Sequence, residues 1–477
     1  MPNHMRWKSI QRLLAGAAAA CCLVACGVDQ VAGIQGSGSP VATGVTSVGP
    51  ISGFGSVILG GIEYATSGAQ IHIDDQSATE TQLRVGHVIT LRGTVNADGK
   101  TGTATDIAFV SDARGAVTTV DIANGTFTVL SQTVRVNDAT LFDEGIQPAE
   151  LAGVQVGAIV QVSGFENAAG ELIASRVEPA AAPAELQVKG TVQTLDSVAH
   201  IFRINSLTID YSAATLSGTL ANGNDVVVRG SALASNGALL ASRVQILGAP
   251  AAAANDRGQI NGVVTSFASA ADFMVGNQRV LTDASTELVL HGATIGVNVR
   301  VEVQGTYNAT GALIARRIEV QSQVLSLVRG LVDSVSSANG SVTVLGVSAV
   351  LTSATSLEDK SSQHVRFFSL ADVHTGDYVE VRGTPSADGT GLVATVVERD
   401  NPETRSYVQG RVLSVSDPNF TILSVTVATD AQTKFNGLGG PSQAAGQFFS
   451  QALNQSVRVR GAVVGSLLLA DQVQIRQ

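Results

Sequence analysis

Several residue types are scarce in this chain of 477 residues, and each scarcity excludes a class of protein. Cysteine occurs only at Cys21, Cys22 and Cys26, so the rest of the chain can form neither a disulfide nor a cysteine-based metal site. Charged residues make up 14% and the net charge is -10, whereas nucleic-acid binding needs clustered Lys and Arg. After the N-terminus, no run approaches the roughly twenty apolar residues of a transmembrane helix. We therefore expect neither a nucleic-acid partner nor a mature membrane-spanning helix.

Small and β-branched residues are abundant instead. Hydrophobic residues reach 44% although aromatic residues reach only 4%, and there are 50 glycines. The chain can therefore bury real cores, and its composition favours short strands and turns. At about 150 residues per domain, the length predicts three ordinary domains or a larger number of small ones.

The N-terminus has the pattern of an export signal. Arg6, Lys8 and Arg12 precede an apolar stretch, residues 13–24, that is too short to span a bilayer. Small residues then lead to Cys26, which resembles the lipidated cysteine of the bacterial lipoprotein lipobox. An ordinary secretory signal with an incidental cysteine is the competing interpretation.

We expect residues 1–25 to be a lipoprotein signal peptide and Cys26 to be lipidated, so that a lipid anchor holds the chain at the membrane. Gly27 follows the cysteine, which favours the outer membrane by analogy with enteric bacteria. The expected location is the cell envelope, on the periplasmic or the surface side. Residues 26–48, rich in Gly and without periodicity, are predicted to be a flexible tether.

The rest of the chain is a tandem repeat. Its clearest element is a strand of alternating apolar and polar residues that ends in Gly, the pattern of a half-buried strand. The six copies are Val88–Gly93, Val160–Gly164, Val226–Gly230, Val301–Gly305, Val379–Gly383 and Val457–Gly461. This strand is the fourth of five in each unit, and the second often contains a Phe. The predicted units are residues 49–111, 112–178, 186–248, 258–321, 326–400 and 406–477.

The segments between units predict separate barrels. Pro179–Ala184 and Ala249–Asn255 are rich in Ala and Pro, and Asp400–Arg405 is polar. Such linkers favour beads on a string over a continuous solenoid.

Five short strands in roughly 60–75 residues bury one face best as a small barrel. The Gly that ends the fourth strand is compatible with a bulge at a barrel corner. Between the third and fourth strands, residues 441–453 predict a short helix, and a helix is also favoured for Val365–Leu370, although a strand fits that short stretch too. This order is that of an OB-type barrel, with an SH3-like barrel or a small sandwich as alternatives. The predicted fold class is all-β, a tandem array of about six small five-stranded OB-like barrels joined by short linkers.

The opening of the first unit, residues 49–66, resembles the bacterial envelope proteins built from domain of unknown function 5666. The later "GxxVxVxG" and "GxLxAxxV" segments are also typical of those repeats. The sequence departs from the pattern at Gly60, where Asn is usual, and at Asn454–Ser456, which lacks the usual Gly. The resemblance implies a fold and no active site.

Candidate sites for chemistry are few. His72 and Asp74 would face the same side of a strand, but a solvated strand face is the favoured interpretation over a metal site. Gly33–Gly38 is Gly-rich without the Lys of a phosphate loop. No paired carboxylates recur at matched positions, and no nucleophile elbow occurs. We therefore expect no catalytic residue, no metal site, no cofactor-binding residue and no small-molecule cofactor.

An arginine precedes the Gly of the fourth strand in four units, at Arg92, Arg229, Arg382 and Arg460. A repeated contact with an anion or an acidic glycan is one interpretation. An exposed edge residue that resists strand pairing is favoured, because Ser163 and Gln304 take this position in two units. The five tyrosines, expected to pack inside the barrels, are Tyr64, Tyr211, Tyr307, Tyr378 and Tyr407.

The sequence thus predicts a non-enzymatic cell-envelope lipoprotein that acts as a binding, spacer or scaffolding module. The expected partners are the membrane, through Cys26, and an envelope protein or polysaccharide. The alternative is a ligand-binding protein for a glycan or another envelope polymer. An enzyme would need a side-chain cluster in one divergent unit, the fifth or the sixth.

Overall fold

A computed structural model describes residues 43–180, 185–248, 252–291, 293–322, 325–437 and 441–476. Nearly all regular structure in these ranges is β. The predicted signal peptide, Cys26 and tether residues 26–42 lie outside the described residues. In the part of the chain that is described, none of the helices has the length and apolar character that crossing a bilayer requires.

The first two repeats contain thirteen strands and two single-turn 3-10 helices. The first repeat comprises β1 (Thr43–Phe54), β2 (Val57–Leu59), β3 (Ile62–Ala65), β4 (Gln70–Ile73), β5 (Gln76–Ser77), a turn at Glu80–Gln82, β6 (Val88–Val95) and β7 (Thr101–Phe109). The second comprises β8 (Ala113–Asp121), β9 (Thr126–Val129), β10 (Gln132–Arg135), β11 (Leu141–Phe142), a turn at Leu151–Gly153, β12 (Ile159–Glu166) and β13 (Leu172–Pro179).

The third and fourth repeats follow the same plan. The third comprises β14 (Leu186–Thr191), β15 (Gln193–Asp196), β16 (Ile201–Ile204), β17 (Leu207–Asp210), β18 (Thr215–Leu216), β19 (Asp225–Leu233) and β20 (Leu239–Leu247). The fourth comprises β21 (Arg257–Ser269), β22 (Asp272–Val275), β23 (Gln278–Leu281), β24 (Glu287–Val289), β25 (Arg300–Tyr307) and β26 (Leu313–Val320).

The last two repeats carry the most divergent insertions. The fifth comprises β27 (Ser326–Ser336), β28 (Ser341–Val344), β29 (Val347–Asp359), a 3-10 turn at Leu370–Asp372, β30 (Tyr378–Pro385) and β31 (Leu392–Asp400). The sixth comprises β32 (Ser406–Ser416), β33 (Asn419–Ile422), β34 (Val425–Ala428), β35 (Lys434–Asn436), β36 (Ser442–Gln443), α1 (Ala445–Gln451), β37 (Ser456–Val464) and β38 (Leu467–Ile475).

Each repeat closes its strands into a ring. In the first repeat β1 pairs with β2, β2 with β3, β3 with β7, β7 with β6, and β6 again with β1. The β3–β7 pair is parallel and the others are antiparallel. The same cyclic order recurs in the second, fourth, fifth and sixth repeats. In the third, the first strand is interrupted at Val192 and continues as β15. The predicted all-β, OB-type order is confirmed.

The barrel interiors are filled by the residues that the alternation predicted. The Phe of the second strand is buried in four repeats, at Phe127, Phe202, Phe273 and Phe420. Tyr64, Tyr211, Tyr307 and Tyr378 are buried as expected, whereas Tyr407 is only half-buried.

The recurring Gly of the fourth strand marks a β-bulge, as predicted. The register against the fifth strand shifts at Gly93, Gly164, Gly230, Gly305, Gly383 and Gly461. The Asn that departs from the family pattern is also explained. Asn454 has φ 69° two residues before the fourth strand, where Asn298 has 68° and Gly376 has 91°. Asn and Gly are the residues that tolerate this conformation, so the exchange preserves the turn.

The expectation of separate beads is wrong, because the first strands of the repeats pair with one another. β8 pairs with β14, β27 pairs with β32, and β1 pairs in parallel with β21. The second and third repeats therefore share one sheet, the fifth and sixth share another, and the first and fourth share a third. The start of a first strand pairs with its own fourth strand along one edge only, as residues 43–50 do with β6, and its other edge is left to pair with another repeat.

Two local expectations also need correction. Residues 43–48 are not part of a tether, because they form the start of β1 and pair with both β6 and β21. Residues 365–369 are not helical; only the 3-10 turn at Leu370–Asp372 follows them. In the sixth repeat the predicted helix is present, but it begins at Ala445 rather than at Pro441.

The linkers differ in how far they are described. Residues 181–184 of the first linker and residues 249–251 of the second lie outside the described residues. Asp400–Arg405 is packed against the fifth repeat, since Arg329 Nη2 lies 3.4 Å from Asp400 Oδ2 and 2.5 Å from Glu403 Oε1. This linker is therefore part of the folded body.

Candidate functional site

The arginines that end the fourth strand fall into two groups. Arg92 and Arg460 are exposed, as expected. Arg229 and Arg382 are buried, so the interpretation as an exposed edge residue is wrong for them. Arg229 Nη1 lies 2.8 Å from Asp75 Oδ2 of the first repeat. Neighbouring barrels bury the strand ends that carry Arg229 and Arg382. The sequence of a single repeat does not reveal this burial.

Asp74 also takes part in a buried contact between repeats, so the interpretation as part of a solvated strand face is wrong for it. It follows β4 in a turn with φ 48° and does not share a strand face with His72. Its carboxylate accepts hydrogen bonds from the Ser111 amide at 2.9 Å and from Gln187 Nε2 at 2.8 Å, and it contacts Arg114. The first, second and third repeats meet at this buried carboxylate.

Arg176 forms a buried ionic contact between repeats. Its side chain is 2% exposed and lies within 2.8 Å of Asp143, 3.1 Å of Glu178 and 2.9 Å of Glu358. Its Nη1 also donates to the Val85 carbonyl oxygen at 3.1 Å. The first, second and fifth repeats are joined by this one guanidinium group.

His87 of the first repeat contacts Glu178, one of the carboxylates that pair with Arg176. Its Nε2 lies 2.9 Å from Glu178 Oε1, and its ring stacks on Phe109 with centroids 3.9 Å apart. Burial lowers the pKa of His87, although Glu178 opposes that shift. Burial alone raises the pKa of Glu178, but His87 and Arg176 outweigh it and bring the pKa to about 2. The pair therefore consists of a neutral imidazole and a carboxylate near neutral pH.

We expect His87→Asn to weaken the dependence of the free energy of unfolding on pH below about 6.5. The pKa of folded His87 is lowered from 6.5, so below that pH the unfolded chain binds a proton that the folded chain does not. The free energy of unfolding of the parent therefore falls as the pH drops through 6.5, and this component vanishes in the variant. Urea unfolding from about pH 8 to about pH 5 measures it. The control is His374→Asn, which replaces an exposed imidazole outside this contact. Equal slopes for the parent and His87→Asn would contradict the assignment.

A polar cleft of about 730 Å³ lies between the second repeat and the joined fifth and sixth repeats. One wall is the segment from Asn137 to Ala152 of the second repeat. The floor is the charged end of β30 and β31, and the facing wall is the outer face of β32, β37 and β38. A cleft of this volume is within the range of ligand-binding sites, although it is more polar than most.

The floor of the cleft is held by internal ion pairs. Arg382 Nη2 lies 2.7 Å from Glu398 Oε2, and its Nη1 donates to the carbonyl oxygens of Asp138 and Thr140 at 2.9 Å. Lys360 contacts Glu398 from the other side. Burial raises the pKa of Asp400 to about 6, and the neighbouring Glu398 adds to that shift. These groups stabilise the joint between repeats and have little capacity left for a ligand.

The facing wall is different, because its polar side chains are arranged in rows across the strands. Gln409 is opposite Arg458, which is opposite Gln474. Two residues away on each strand, Tyr407 is opposite Arg460, which is opposite Gln472. We call these six side chains the arginine–glutamine grid. All six line the cleft.

The sequence contains a signal for this grid that the repeat comparison did not use. β37 contains Val-Arg-Val-Arg and β38 contains Gln-Val-Gln-Ile, so the outer face of this strand pair carries two arginines and two glutamines. Among the four arginines before the bulge Gly, for which an exposed edge residue was favoured over an anion contact, Arg382 and Arg460 line the cleft, whereas Arg92 does not. No group of three or more His, Asp or Glu side chains with metal-binding geometry occurs within the described ranges.

Comparison with known proteins agrees with the repeat and the fold. The model of a family described as a domain of unknown function (DUF5666) matches residues 44–108, 114–178, 189–245, 261–319, 329–398 and 409–474. A search of curated proteins finds no match. Because the six matches together span most of the chain, the protein belongs to the DUF5666 family.

Proposed function

We propose that the chain is a non-enzymatic lipoprotein of the cell envelope, anchored through Cys26, whose barrels act as one scaffold. The observation that carries the scaffolding role is the joining of repeats through their first strands, in three shared sheets. A body joined by backbone hydrogen bonds and buried ion pairs holds its surfaces in fixed relation, which independent beads cannot do. The envelope location is supported by the lipobox-like segment before Cys26.

We expect Cys26→Ala to release the protein from the membrane fraction. The lipid attached at Cys26 is the proposed anchor, and its loss leaves a chain without a strong membrane contact. Intact-mass analysis of the native protein, combined with membrane fractionation, measures both the modification and its consequence. The matched control is Cys22→Ala, within the apolar stretch of the signal, which keeps the lipid mass and the membrane association. An unmodified, soluble parent protein would overturn the anchor and leave the joined barrels as a freely diffusing scaffold.

A further inference from the structure

We propose that the arginine–glutamine grid binds a carboxylate-bearing saccharide, such as a chain that contains uronic acids. The site lies between the second repeat and the sixth, so it exists only because the repeats are joined. Binding there does not require the lipid anchor, and failure of either proposal leaves the other intact.

The first argument is the state of the grid arginines. Arg458 Nη1 lies 3.6 Å from Glu150 Oε2, and Arg460 Nε lies 4.0 Å from Asp471 Oδ2, so neither has a close ion pair. Asp471 is contacted more closely by Arg405. The floor arginine Arg382, by contrast, pairs with Glu398 at 2.7 Å. The grid guanidinium groups therefore retain donors for a ligand carboxylate, which they match in planar geometry.

The second argument is what lies beside each guanidinium group. Gln474 follows Arg458 across the sheet and Gln472 follows Arg460, while Tyr407 lies beside Arg460 on the other side. Amide side chains donate and accept, so they suit hydroxyl groups. The Tyr407 ring packs against guanidinium groups of the protein itself, with Arg329 5.5 Å and Arg458 5.7 Å from its centroid, and so helps to position Arg458. A ligand whose carboxylates are separated by hydroxyl groups would place carboxylates at the arginines and hydroxyl groups at the neighbouring glutamines.

The third argument is the set of carboxylates in the cleft, which disfavours dense polyanions at the grid. Glu150 lies 3.6 Å from Arg458, and Asp400 and Glu403 also line the cleft. A chain of closely spaced phosphates would bring some of its charges next to these carboxylates, at a cost in binding free energy. A neutral sugar would gain no charge-assisted contact with the grid arginines. A saccharide with widely spaced carboxylates would contact the grid arginines and would place few charges next to the carboxylates of the cleft.

The test is isothermal titration calorimetry of the full chain with an oligogalacturonide. An uncharged galacto-oligosaccharide of equal length, a polyphosphate and a poly-glutamate peptide are the comparison ligands. We expect the oligogalacturonide to bind most tightly and its affinity to fall as salt rises from about 50 to about 300 mM. Equal binding of the uncharged sugar, or tighter binding of the polyphosphate or the peptide, would overturn the proposal, as would no binding of the oligogalacturonide.

Three variants locate the binding. The double variant Arg458→Gln/Arg460→Gln is expected to weaken binding at least about tenfold, because two charge-assisted contacts are lost. Glu150→Gln is expected to strengthen it about two- to fivefold, because an internal carboxylate no longer competes for Arg458. The control Arg92→Gln changes the matching, exposed position of the first repeat and leaves the affinity unchanged. Thermal unfolding of each variant checks that it is folded, and a double variant that is folded but binds like the parent would contradict the location.

Discussion

Replacing Arg176 with methionine is expected to lower the free energy of unfolding by about 3–5 kcal/mol. Methionine keeps most of the aliphatic volume, so the change removes mainly the charge and its hydrogen bonds. Asp143, Glu178 and Glu358 then lose their shared cation in a contact where Arg176 is 2% exposed. Breaking a buried ion pair by removal of one partner is costly because the other charges stay desolvated.

Arg243→Met is the matched control, because Arg243 has the same position in the fifth strand of the third repeat. Its side chain is 45% exposed and lies 3.8 Å from Asp75, so we expect a loss below about 1 kcal/mol. Urea unfolding followed by far-ultraviolet circular dichroism measures both variants; the only Trp, Trp7, is in the predicted signal. Equal losses in the two variants would contradict a specific role for the contact between repeats.

Arg176 and Arg243 show why the sequence predicts the barrels better than their assembly. Both occur in the same motif, Ala-Ser-Arg-Val, and both alternate with barrel-facing apolar residues. The alternation is a local property, so it identifies the strands, their order and the bulge glycines. Which of the two arginines is buried depends on residues far away in the chain, such as Glu358, and no periodicity within one repeat contains that information.

The cleft, like the burial of Arg176, depends on how distant repeats pack together. Arg458 and Gln474 could be placed on one outer barrel face from the sequence alone, since they alternate with the buried Val457 and Val473. That this face is opposite the second repeat, with Glu150 3.6 Å from Arg458, follows only from the packing of the repeats. The linkers suggested independent barrels, and independent barrels would have no such cleft.

Gly305→Ala is the second large effect that we expect, with a loss of about 3 kcal/mol or more in the free energy of unfolding. A Cβ atom built at this position lies 2.0 Å from the carbonyl oxygen of Ile314 and 3.0 Å from the Cα atom of Ala315. Both are backbone atoms of the neighbouring fifth strand, so relief requires the strands of the barrel to separate. The bulge, with its register shift between Gln304 and Gly305, brings the two backbones this close.

Gly296→Ala in the same repeat is the control, because a Cβ atom there has nothing within 4 Å. We expect it to change the free energy of unfolding by less than about 1 kcal/mol. Urea unfolding of both variants gives the comparison, and a tolerated Gly305→Ala would show that the fourth and fifth strands can move apart. The corresponding Cβ atoms at Gly93, Gly164, Gly230, Gly383 and Gly461 all lie 2.0–2.2 Å from a backbone oxygen. The recurrence of this glycine therefore reflects the close approach of two strands in every barrel, and it belongs to the fold rather than to ligand binding.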